Sequence, residues 1–255
     1  MAQLMDGQTA LILGVANKWS LAYAIAQAFT REGAKLLLTY QSERQKETVE
    51  ELGAELGAAA IFKCDVSSDE DLATLTETAG KHGRLDAVVH SIAFANREDL
   101  GKPFVETSRA GYGLAVDISA YSLVGVARAT APLMTNGGSL LTLSYLGATR
   151  VATNYNVMGV AKAALEASVR YLASELGASN IRVNAISAGP VKTTSARGVK
   201  NFSTMLDTVA ARSPLKRNCE PAEVADTAVF LASPLGRGVT GSVIFVDAGY
   251  NIMAL

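Results

Sequence analysis

The feature that most constrains this 255-residue chain is the alternation of short apolar runs with longer amphipathic segments. The apolar runs cover residues 9–13, 35–39, 59–64, 87–90, 139–143, 182–186 and 243–246. Between them, helical periodicity covers 21–31, 43–56, 69–81, 109–133, 154–176 and 221–231. Apolar strands separated by a helix's length of chain pair in parallel, because each return to the sheet needs a crossover. Nearly all such crossovers are right-handed. The pattern predicts an α/β fold built on a doubly wound parallel sheet of about seven strands, with helices on both faces. No Pro- or Ser-rich linker or repeat divides it, so residues 1–255 read as a single domain. The stretch 188–213 departs from the alternation, being long and rich in small and polar residues. It follows a strand's carboxyl end, where ligands bind in open α/β sheets, and it reads as a lid.

Composition excludes several classes. A formal net charge of −1 gives no electrostatic case for nucleic acid or an anionic membrane. Cys64 and Cys219 are the only cysteines, too few for a secreted disulfide framework, which favours a reducing compartment. The apolar runs look strand-length, short of the ~20 residues of a membrane span. The N-terminal Met1 to Gly7 lacks the charged and apolar regions of a signal peptide, so the cytoplasm is the expected location.

The first strand leads into Gly14-Val15-Ala16-Asn17-Lys18-Trp19-Ser20-Leu21 and then a helix. A strand–turn–helix of this kind brings backbone N–H groups and a helix N-terminus against a dinucleotide pyrophosphate. Gly14 permits the close approach, and Ser20 stands where an N-cap belongs, its hydroxyl able to cap the backbone or bond a phosphate. The loop is not a G-x-G-x-x-G, and a tight turn without a nucleotide would also account for it. The second strand ends in Thr39-Tyr40-Gln41-Ser42, without the acidic residue that commonly holds an adenosine ribose; Gln41 can still hydrogen-bond there. No basic residue immediately follows that strand, although Arg44 is near, so NADH is favoured over NADPH. Asp65 and Val66 end the third strand, where a carboxylate and a backbone N–H can meet adenine; Asp65 could equally cap the next helix. Ser91, Ile92 and Ala93 end the fourth, offering small residues where a ribose or nicotinamide passes, and His90 reads as a packed strand-end histidine.

The chemistry-bearing residues follow the fifth strand. Tyr155 and Lys162 are seven positions apart, so on a helix both project from one face. Tyr145 approaches from the strand end. A phenol with a pKa near ~10 is a neutral donor at pH 7, suited to a carbonyl oxygen that is becoming an enolate or alkoxide.

With these residues assembled, the chain resembles the Rossmann-type short-chain dehydrogenase/reductase superfamily over its whole length. More narrowly, it resembles the bacterial enoyl-acyl carrier protein reductases of type II fatty-acid synthesis. The segments carrying the resemblance are Gly14-Val15-Ala16-Asn17 through Ser20-Leu21-Ala22-Tyr23, Ser91-Ile92-Ala93-Phe94-Ala95, Leu141 through Gly147, Tyr155 through Gly159 with Lys162, and Arg182 through Pro190. It implies that Tyr155 donates to the thioester oxygen and that Lys162 holds the nicotinamide ribose. It places Gly14, Ser20, Leu21, Gln41, Asp65, Val66, Ile92, Lys162, Val191, Lys192, Thr193, Thr194 and Ser195 at the cofactor. Ala95, Tyr145, Met158, Ala196, Phe202 and Met205 fall at the substrate, with a mobile segment from Ala196 to Met205. In ordinary ketoreductases of the superfamily the catalytic Tyr lies four residues before its Lys, a position held here by Met158. The wider spacing suits an enoyl thioester, where hydride adds at C3 while charge collects on the C1 oxygen. The resemblance further implies enoyl-acyl carrier protein as substrate and a homotetramer. Two alternatives stay open at this level: a carbonyl reductase or alcohol dehydrogenase of the same superfamily, and a dinucleotide sensor without chemistry.

Overall fold

Every apolar run read from the sequence is a strand in the computed structural model, which describes residues 3–191 and 202–254. The strands are β1 (Thr9–Leu13), β2 (Lys35–Tyr40), β3 (Ala60–Lys63), β4 (Ala87–His90), β5 (Gly138–Ser144), β6 (Ile181–Ala188) and β7 (Val243–Val246). They pair in parallel in the order β3-β2-β1-β4-β5-β6-β7. The helices are α1 (Leu21–Arg31), α2 (Glu43–Leu56), α3 (Asp69–Gly80), α4 (Arg97–Gly101), α5 (Arg109–Val116), α6 (Ser122–Thr130), α7 (Val157–Leu176), α8 (Phe202–Arg212) and α9 (Pro221–Ala232).

Alternation along the strands divides their side chains between two cores. Ala10 and Ile12 of β1 join Leu36, Leu38 and Val89 under α1, α2 and α9. Leu11 and Leu13 join Leu37 and Val88 under α3, α6 and α7. Both faces are therefore withdrawn from water, worth roughly 25 cal/mol per Å² of apolar surface, and this is why the strands read as unbroken apolar runs.

Three expectations need correction. The helical run at 109–133 is continuous but not uniform, because a π-helical segment, Asp117–Tyr121, separates α5 from α6. By length and composition alone this run is long and apolar enough to cross a membrane, so the apolar segments are not all strand-length. Its Ala120, Leu123, Val126 and Ala127 are buried in the second core. The helix expected from 154 begins at Val157, because Asn154 and Asn156 take positive φ angles of 65° and 42°. A right-handed helix cannot include such residues. Finally, the stretch 188–213 contains α8, whose Leu206 and Val209 are buried. Lys192, Thr193, Thr194, Ser195 and Ala196 lie outside the described residues, as does the side chain of Phe202.

Candidate active site

The strand order reverses between β1 and β4, and there the carboxyl edge of the sheet opens into a cleft of about 480 Å³. Of the residues expected at a cofactor, Gly14, Ser20, Leu21, Gln41, Val66, Ser91, Ile92, Ala93 and Lys162 line it. Asp65 sits at its border, where Oδ2 accepts from Gln41 Nε2 at 3.2 Å. The alternative that Asp65 caps the next helix is not what forms. Its Oδ1 accepts from the N–H and the hydroxyl of Ser67, and Ser68 caps α3 by accepting from the Asp71 N–H. Val191 is buried beyond the cleft lining.

A dinucleotide fits this cradle by local geometry. Gly14 has φ +99°, and a Cβ there would come within 2.1 Å of the Ser91 carbonyl oxygen, so no side chain can stand between loop and ligand. Ser20 caps α1, accepting from the Tyr23 N–H at 3.2 Å while its hydroxyl donates to the Asn17 carbonyl at 2.8 Å. That fixes a helix N-terminus on the cleft, where a phosphate is stabilised.

The chemistry is arranged on three consecutive residues around the end of β5. The Leu143 carbonyl receives Lys162 Nζ at 2.6 Å. Ser144 donates to Glu166 at 2.5 Å. The Tyr145 ring meets the Tyr155 ring edge-on, with centroids 4.8 Å apart and planes at 65°. Tyr155 is therefore not on the helix that carries Lys162, and the helical-face argument from their spacing fails. A turn holds it instead: the Tyr155 N–H donates to Ala152, and Asn156 Nδ2 donates to the carbonyls of Leu100 and Lys102. The close fit needs Gly147 and Gly159, since a Cβ on the first would strike the Tyr155 ring and one on the second the Gly147 carbonyl. Tyr145 Oη reaches Met205 Sδ of α8 at 3.7 Å, which sets that end of the predicted substrate segment against the Tyr145 phenol. Met158, in the first turn of α7, is buried, with Sδ 3.9 Å from Ser119 Oγ. Ala95 is half-buried just past the cleft lining.

Electrostatics set the protonation states. Burial pushes the Tyr155 phenol well above its ordinary value, reinforced by Tyr145, and pushes Tyr145 up to about 12. Both remain neutral donors at pH 7. Burial brings Lys162 down to about 8, opposed by the Glu166 carboxylate. His90 is fully buried, with its ring nitrogens bonded to Thr142 and Ser122, and burial and then Lys162 push it down to about 3. It is the packed histidine expected.

Ser119, Ser122 and Glu166 escaped the sequence reading, and Ser144, within the segment Leu141 to Gly147, was given no role in it. Ser119, within the π segment, accepts from the Phe94 N–H and donates to the Phe94 carbonyl, and Ser122 grips His90. A π segment rotates side chains out of helical phase and recurs at functional sites, but its register has no sequence signature here. Glu166 did leave a signal, as an acid four residues after Lys162 and four before Arg170 on one helix face.

A doubly wound sheet with a dinucleotide cradle at its switch point and a Tyr–Lys pair beside it defines an oxidoreductase of the short-chain dehydrogenase/reductase type. Residues 14–251 match the family described as enoyl-(acyl carrier protein) reductase, and the chain belongs to that family. It is 52% identical over 254 residues to the enoyl-acyl-carrier-protein reductase (NADH) FabI of Bacillus cereus, covering 98% of this chain and 99% of that relative. A solved Bacillus cereus enoyl-acyl carrier protein reductase with NADP+ and indole naphthyridinone superposes with a TM-score of 0.98 at 52% identity, over 99% of this chain and 100% of the other. The reductase of Anaplasma phagocytophilum in complex with NAD gives 0.97 at 46% identity, over 100% and 98%.

Gly14→Ala is expected to cost about 1–3 kcal/mol from backbone strain alone, with a further loss from the clash at Ser91. Thermal unfolding with and without NADH checks it: the variant should melt lower and gain less from the dinucleotide.

Proposed function

We propose that this family member reduces the trans-2 double bond of enoyl thioesters carried on acyl carrier protein, with NADH, in the last step of each type II elongation cycle. The same reading makes it a cytoplasmic homotetramer. The observation that carries the chemistry is the convergence of Lys162, Tyr145 and Tyr155 on the end of β5, at the border of the cleft.

Bound NADH supplies the hydride. Lys162, an ammonium at the cleft wall, holds the ribose hydroxyls and thereby orients the nicotinamide. Tyr155 donates its phenolic proton toward the thioester oxygen as negative charge develops there, and its raised pKa keeps that proton on the phenol until it is needed. Tyr145 packs edge-on against Tyr155 and, with Met205, forms an apolar wall for the acyl chain. Withdrawal from water strengthens each of these interactions. Beside the adenosine ribose, the Asp65 carboxylate bonded to Gln41 opposes a 2′-phosphate, which supports NADH over NADPH.

Tyr155→Phe should lose about 10²–10³ in turnover while still binding NADH. An assay of NADH consumption with crotonyl and acetoacetyl thioesters tests both residue and reaction: wild type should consume NADH only with the first. Wild-type rates in the Phe variant would remove Tyr155 from its role.

The ammonium form of Lys162 is the one that binds ribose, and its pKa is brought down to about 8. NADH affinity should therefore be full below that pH and fall as pH rises through it. Lys162→Ala should weaken NADH binding and abolish this pH dependence, as read by fluorescence titration.

A further inference from the structure

One buried acid plays no part in the chemistry above. Glu166 lies four residues after Lys162, on the same face of α7 and one turn further along. It is only 6% exposed, and Oε1 accepts from the equally buried Ser144 hydroxyl. Ser144 stands between the residue whose carbonyl receives Lys162 and the residue whose ring meets Tyr155. A single carboxylate thus clamps the strand at the link joining the anchor of the cation to the anchor of the phenol. Burying a carboxyl is costly, and a leucine or alanine would pack here without that cost.

We propose that Glu166 is a positioning residue for the reductase reaction: by tethering the end of β5 to α7 through Ser144, and by standing as a negative charge one turn from Lys162, it fixes the ammonium and the phenols relative to one another. This rests on the roles given above to Lys162 and Tyr155. Among the described residues, the charges around the pair are few. Burial raises the Glu166 carboxyl above its ordinary value, and the Ser144 hydrogen bond, then Arg170 of α7 and Lys162, oppose that rise. His90 of β4 feels the Lys162 charge but stays a neutral imidazole, and β5 contributes the Leu143 carbonyl. Among the described residues, Glu166 is thus the charged side chain that favours the ammonium form of Lys162, alongside the Leu143 carbonyl.

Two variants separate tether from charge. Glu166→Gln keeps the shape and a hydrogen-bonding group for Ser144 but removes the ionisable carboxyl, whereas Ser144→Ala keeps the carboxyl and removes the tether. Ser187→Ala is the control. Ser187 pairs in register with Ser144 on the neighbouring strand and is 1% exposed, yet its hydroxyl has no partner among the described residues.

The full-length proteins would be titrated with NADH across the Lys162 transition in the absence of substrate, then assayed for kcat and KM with crotonyl thioester. Glu166→Gln should move the loss of NADH affinity to lower pH by about one unit, because removing a nearby anion lowers an ammonium pKa. Ser144→Ala should move that transition less than Glu166→Gln does but lower kcat about tenfold with KM for NADH little changed, as expected for a misaligned donor. Ser187→Ala should match wild type in both. A wild-type transition in Glu166→Gln together with wild-type kcat in Ser144→Ala overturns the proposal. If Glu166→Gln does not fold, Ser144→Ala decides alone, and wild-type kcat there overturns it. Failure of wild type to turn over any enoyl thioester would remove the functional reading instead, while the NADH titration, which needs no turnover, still decides the charge effect of Glu166.

Discussion

The pairing of β1 with both β2 and β4 is the constraint on which the rest of the structure depends. From β1 the chain builds outward to β2 and β3, then crosses back to lay β4 on the other side. The helices that follow β1 and β4 consequently leave the sheet on opposite faces, α1 on one and α6 on the other, and a gap opens between the loops at the carboxyl edge. Gly14 must then pass so near the Ser91 carbonyl that no Cβ can be accommodated. The cleft is the product of this reversal, and the nucleotide end of the site is the set of strand ends that face it.

The reacting end depends on a different balance. An ammonium and a carboxylate are drawn under α7, where losing water disfavours both, and each is kept by specific partners: a strand carbonyl and Glu166 for Lys162, a serine hydroxyl and two cations for Glu166. Aromatic packing does the corresponding work for the phenols, since the edge-on contact of Tyr145 with Tyr155 depends on two glycines that let a turn lie against the first turn of the helix. Polar tethers and tight packing meet at successive residues of one strand end, so a small displacement of that end would be felt by every group at once.

Much of this was legible in the residues. The seven strands announce themselves because both faces of a parallel sheet are buried, and nine of the residues expected at the cofactor do line the cleft. Tyr155 was correctly placed beside Tyr145, but for the wrong reason. Helical periodicity suggested a shared face with Lys162, whereas left-handed asparagines on either side of Tyr155 keep it off the helix. Local propensity hardly distinguishes an asparagine that continues a helix from one that turns before it, and the packing of the turn makes that choice. The same holds for the π segment, which follows from which serines must reach β4 and leaves no periodic trace.

The sequence by itself determined the layering, the order of elements, the dinucleotide cradle and the identity of the phenols and the ammonium, because these follow from apolar periodicity and from residue chemistry carried on short contiguous motifs. Only the tertiary structure decided how the reacting groups are held: the phenols edge to face, the ammonium on a strand carbonyl, the carboxylate on Ser144. The contacts of Lys162 and Glu166 join residues 19 and 22 positions apart that meet because β5 and α7 pack together. The protonation states followed from the same packing, because a pKa is set by how much water and which charges remain around a group once the chain has closed over it.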